Sequence, residues 1–131
     1  MKENTPGKKT HREIMPGDCF YLPEHSWALY NEDGTVDVGV ETSFLGAVPA
    51  IEDISVPEEN DLVEQGYPGF RLMTSGEVHG VFMPLSGRVV GVNEVVAKDP
   101  ALLDNKTWVL KIIPSQLRAE LESLKKRDKC H

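Results

Sequence analysis

The sequence predicts a mainly β domain, a small sandwich or barrel with helical attachments. Three observations carry that prediction. Short apolar runs alternate with a period of two, as strands with one buried face do. Turns bearing glycine or proline separate these runs at short intervals. One leucine repeat at helical spacing is confined to the C-terminal end. The chain has 131 residues, enough for a single modest core.

Residues 1 to 16 are rich in Lys, Asn, Thr and Gly and read as a flexible N-terminal arm, with one domain over 17–131. Trp27-Ala28-Leu29-Tyr30 is an apolar strand, and Asn31-Glu32-Asp33-Gly34 carries the Asp-Gly hairpin signal. Thr35 to Val40 alternates, placing Val36, Val38 and Val40 on one face. Glu41 to Val48 suits one or two helical turns, and Ile51 to Val56 alternates weakly. Phe70 to Met73 and Val81 to Met83 read as short strands, with Thr74 to Gly80 as a hairpin between them. Arg88 to Val92 and Trp108 to Ile113 are two further strands. Asp99 and Pro100 suit the N-cap and first position of a short helical turn.

The C-terminal segment predicts a helix over 114–127. Ser115 is a plausible N-cap, Leu117, Leu121 and Leu124 share a face, and Lys125, Lys126 and Arg127 favour the negative end of the helix dipole.

Charge is unevenly spread. Residues 16–113 hold sixteen acids against five bases, a net of −11, while both ends are basic. That balance argues against nucleic acid, which needs phosphate-neutralising Lys and Arg. It suits docking onto a basic protein surface, and equally suits plain solubility. No apolar run reaches the roughly 18 residues of a membrane span, and the first fifteen residues lack the apolar stretch of a secretory signal, so a cytoplasmic protein is expected. Cys19 and Cys130 form no C-x-x-C pair, which makes a disulfide framework improbable. His11, His25, His79 and His131 match no zinc spacing, and no metal site is expected.

Three ordered segments are more specific. Tyr21-Leu22-Pro23-Glu24-His25-Ser26-Trp27 opens the domain, and Pro84-Leu85-Ser86-Gly87-Arg88-Val89-Val90-Gly91-Val92-Asn93 lies downstream. Trp108-Val109-Leu110-Lys111-Ile112-Ile113-Pro114-Ser115 closes it. Together they resemble the glycine cleavage H-protein family at family spacing, over about four fifths of the chain. The resemblance implies a barrel-sandwich hybrid, two small antiparallel sheets packed face to face with short helical turns and a C-terminal helix. It also implies a non-catalytic carrier that holds lipoate on a lysine at a hairpin tip.

Here the chain departs from the pattern of the family it resembles. The position matching the lipoyl lysine is Gly76, within Thr74-Ser75-Gly76-Glu77, and Met73 replaces the acid three residues earlier. The chain contains no lysine between Lys9 and Lys98, so no slip in register supplies an attachment amine. No lipoyl cofactor is therefore expected. Family members place an acid after the histidine of the first motif and an aspartate four residues past the lysine. Ser26 and Gly80 stand at those positions, so Glu24, His25, Ser26 and Gly80 mark a cleft that has lost its arm. His79 could act as base or ligand, but no nearby triad pattern supports catalysis. The expected function is a non-lipoylated H-protein-like adaptor or regulator, its partner-facing hairpin at Thr74, Ser75, Gly76 and Glu77. A working lipoyl carrier and a cryptic enzyme or small-ligand binder using the cleft are the alternatives. Oligomeric state stays open.

Overall fold

The computed structural model describes residues 14–130. Residues 1–13 of the expected arm lie outside that range, and Met15 to Asp18 form a turn closed by the Asp18 N–H on the Met15 carbonyl.

Among the described residues, ten strands make two antiparallel sheets. They are β1 (Cys19–Leu22), β2 (Ser26–Tyr30), β3 (Val36–Val40), β4 (Asp53–Ser55), β5 (Leu62–Val63), β6 (Pro68–Thr74), β7 (Glu77–Phe82), β8 (Gly87–Val92), β9 (Trp108–Pro114) and β10 (Lys125–Arg127). The larger sheet runs β10-β1-β2-β3-β9-β8-β5 and the smaller β4-β6-β7. Helix α1 (Thr42–Ala47) leads from the larger sheet to the smaller, α2 (Glu94–Lys98) and a 3₁₀ turn at Pro100–Leu102 lie between β8 and β9 of the larger sheet, and α3 (Leu117–Leu121) follows β9. This is the barrel-sandwich architecture that the resemblance implied.

Alternation decides what is buried. Val36, Val38 and Val40 of β3 point inward with Val89, Leu110 and Ile112 of the large sheet, and meet Ile54, Phe70, Leu72 and Val81 of the small one. All ten are under one tenth exposed, and their apolar burial is the main source of stability. The family's Ser-Gly segment is held from outside the sheet. Ser86 donates its backbone N–H and its hydroxyl to the Glu120 carboxylate of α3, at 2.7 and 2.6 Å. The same helix end accepts a bond from Gln65 Nε2 at 3.0 Å.

Two expectations are corrected here. The C-terminal helix over 114–127 is reduced to the five residues of α3. Leu117, Leu121 and Leu124 still pack on the core as their spacing required. After them the chain straightens, and β10 pairs with β1 in the register Cys19↔Arg127, Phe20↔Lys126, Tyr21↔Lys125. An unpaired strand edge offers backbone hydrogen bonds that a frayed helix end cannot match. The second correction concerns the cysteines. Cys19 and Cys130 form a disulfide across 111 residues, with Cα atoms 5.2 Å apart. Chain folding, rather than spacing, brought them together.

Candidate functional site

The hairpin β6–β7 forms the site's projecting half. Its cross-strand pairs run from Pro68↔Phe82 to Thr74↔Glu77, with an irregularity between Pro68 and Phe70, and leave only Ser75 and Gly76 in the loop. The strands are longer than the sequence suggested, because Glu77 to Gly80 continue the ladder. Gly76 has φ +85° and nothing within 4 Å of a Cβ placed on it. It is exposed, together with Ser75 and Glu77, whereas Thr74 is buried. A positive φ is the conformation that glycine adopts without steric penalty. An amide link to lipoate requires an amine, and the hairpin has no lysine, its basic side chains being the Arg71 guanidinium and the His79 imidazole. The residues here do not fit the family's prosthetic group.

The face beside the hairpin is built from β7, the turn before β2, and α1. Phe82 points outward between the fully buried Val81 and Met83, and is about two fifths exposed. The His25 ring stacks on it, with centroids 4.3 Å apart and planes 7° from parallel. Phe44 of α1 lies on the imidazole at 5.5 Å. The Phe82 N–H donates to His25 Nδ1 at 3.3 Å, which leaves Nε2 as the protonated nitrogen of the neutral ring. Burial holds the His25 pKa below its ordinary value of 6.5, and the charge of Glu24 opposes that only in part.

The cleft residues named from the sequence fare differently. Glu24 is exposed at a turn with φ 68°, next to His25. Ser26 does not line a cleft: it is fully buried, and its hydroxyl donates to the Phe82 carbonyl at 2.6 Å. That bond ties the large sheet to β7. Gly80 lies on the outer face of β7 opposite Arg71, and a Cβ there would meet Pro68 side-chain atoms at 3.1 Å. His79 turns the other way, opposite Leu72. Its Nε2 is buried and makes no aligned hydrogen bond, although the Glu77 carboxylate is 3.2 Å away.

His25, Phe82 and Gly80 thus share one surface, while Ser26 and His79 are withdrawn from it. Phe44 and Phe82 were missed as site residues. The outward phase of Phe82 was readable from alternation in Val81-Phe82-Met83. Nothing local in Thr42–Ala47 signalled that Phe44 would reach His25. Among the described residues, no group of three or more His, Cys, Asp or Glu side chains could hold a metal ion, and no helix is long and apolar enough to cross a membrane.

The model of the glycine cleavage H-protein family matches residues 19–131. A probable glycine cleavage system H protein from Pyrococcus furiosus is 32% identical over 108 residues, covering 80% of this chain and 81% of that one. A glycine cleavage system H protein from Streptomyces coelicolor is 30% identical over 112 residues, covering 82% and 90%. Among solved structures, a glycine cleavage system H protein from Mycobacterium marinum superposes with a TM-score of 0.66 at 25% identity, covering 77% of this chain and 87% of its own. The chain belongs to the glycine cleavage H-protein family.

Proposed function

We propose that this chain is a non-lipoylated member of the family that serves as a docking adaptor or regulatory partner of a larger enzyme system. One observation carries the reading. The hairpin tip where the family keeps its lysine is an exposed glycine in the left-handed region, and no lysine lies between Lys9 and Lys98. An amide to lipoate has no amine to form on.

The surroundings support a lost arm. A swinging lipoyl arm needs a polar cleft to return to, and here Ser26 is committed to the Phe82 carbonyl while Phe82 and His25 stack over the place. What remains is an apolar-edged surface at Val78 and Phe82 on a strongly acidic domain, a combination suited to a protein partner with basic charge. No catalytic role is assigned, since His79 lacks an aligned partner and His25 packs between two rings.

Family membership favours the lipoyl carrier as the second reading. Intact-mass analysis of the protein from its native host separates the two. The unmodified mass supports the adaptor, and a lipoyl increment would overturn it. Cross-linking from a cysteine placed at Ser75, followed by identification of the attached protein, then tests the hairpin as the partner-facing element.

A further inference from the structure

The large sheet ends on a strap rather than on a free strand. Residues 125–130 cover the outer edge of β1, and four kinds of contact hold them. The first is the β1–β10 ladder of three residue pairs. Arg127 donates to both Glu41 carboxylate oxygens at 3.0 and 2.8 Å, and its guanidinium lies over the Tyr21 ring at 3.7 Å. Lys126 sits 3.7 Å from Asp18. Last, Cys130 closes the disulfide with Cys19.

These contacts are separate from the main core. The large hydrophobic cluster includes none of residues 125–130, and the two cysteines belong to a second, smaller cluster with Trp27, edged by Tyr21, Leu29 and Trp108. Without the disulfide the strap keeps three ladder pairs, the Lys126–Asp18 pair and the bidentate Arg127–Glu41 pair, a short attachment with no side chain of residues 125–130 in the main core. Local opening is drawn from elements held in this way. The disulfide tethers the end of the strap to β1 and opposes that opening while it is closed.

We infer that the Cys19–Cys130 bond is a latch: reduction releases β10 and uncovers the outer edge of β1 together with the Glu41 carboxylate. The reductant is a dithiol. One thiolate attacks Sγ of Cys130, the less buried residue of the pair, and Cys19 leaves as thiolate. The second thiol of the reductant attacks the mixed disulfide and frees Cys130. Two electrons pass to the cysteines, which take up the two protons the dithiol gives up, and the dithiol becomes a disulfide. The opened edge presents unpaired backbone donors and acceptors beside Glu41 and Asp18, which suits an extended basic segment like Lys125-Lys126-Arg127 itself.

Amide hydrogen exchange on the full chain, oxidised and then reduced with dithiothreitol, tests this. Protection at Lys125–Arg127 and at the β1 amides facing them should fall about tenfold or more on reduction, with the β6–β7 ladder unchanged. Cys130→Ser should reproduce the reduced pattern without reductant. Arg127→Ala in the oxidised protein should leave the strap protected, because the latch still holds. Unchanged protection of the strap after verified reduction would overturn the proposal. So would a loss of protection through both sheets, which would make the bond a staple of the whole fold.

Discussion

Placing a lysine at the hairpin tip, Gly76→Lys, separates a lost amine from a lost surface. The structure sets the physical cost. Gly76 has φ +85° with no atom within 4 Å of an added Cβ, so the penalty is backbone strain without a clash. An L-residue in that region costs roughly 1–2 kcal/mol. A domain is typically stable by about 5–15 kcal/mol, so the variant folds. Its melting temperature should drop by roughly 3–10 °C. Lipoylation is then read by intact mass after incubation with lipoate ligase, ATP and lipoate. We expect slow and incomplete modification, because Met73 stands where the family holds an acid. Loss of one contact with a charged group, about 1.5–3 kcal/mol, slows recognition by about tenfold or more. Adding Met73→Glu to the variant should recover part of that rate: Met73 is half-buried on β6 between Val78 and Asp53, so the new carboxylate stands across from a like charge. Full restoration through Ser26 is blocked by packing, since a Glu there would bury its charge; at Gly80 a Cβ comes within 3.1 Å of Pro68 side-chain atoms, which must shift by a few tenths of an ångström. If Gly76→Lys alone is lipoylated as fast as an ordinary H-protein, only the lysine was lost, and the repurposed surface must be abandoned.

Other outcomes follow from the same geometry. Ser26→Ala should cost about 1–3 kcal/mol in urea unfolding, because it leaves the Phe82 carbonyl without its 2.6 Å donor, and Ser26→Glu should cost more. Gly39→Ala should destabilise by roughly 1–3 kcal/mol or more, since its Cβ would collide with the Trp27 ring, which is itself pinned by a 2.9 Å bond to the Asn105 carbonyl; an unchanged melting curve would refute that packing. His25 is held below 6.5 by burial, so the unfolded chain binds more protons than the folded one between the lowered value and 6.5. The resulting stability is fully present above 6.5, declines as pH falls through it, and levels off below the folded value. Unfolding midpoints at pH about 7.5 and about 5.5 should therefore differ in the wild type and differ less in His25→Gln.

The sequence by itself settled the β architecture wherever one residue's neighbours decide its face. Alternation in Val36-Val38-Val40 and Val81-Phe82-Met83 can be read locally because a strand's period is two. The absence of lysine between Lys9 and Lys98 is likewise a matter of residue identity alone, whereas the positive φ at Gly76 came from the fold. Tertiary structure decided the rest. The leucine spacing at 117, 121 and 124 encoded a buried face but not where the helix stops, because the pull on residues 125–127 comes from the edge of β1, a hundred residues earlier. Cys19 and Cys130 carried no spacing signal for the same reason: a bond across 111 residues is specified by the fold that closes the loop. Ser26 read as a cleft residue by its position in a motif, yet its hydroxyl turns inward to Phe82, 56 residues away. Local patterns fix which way a side chain points along its own strand, whereas the partner it meets depends on how the two sheets pack.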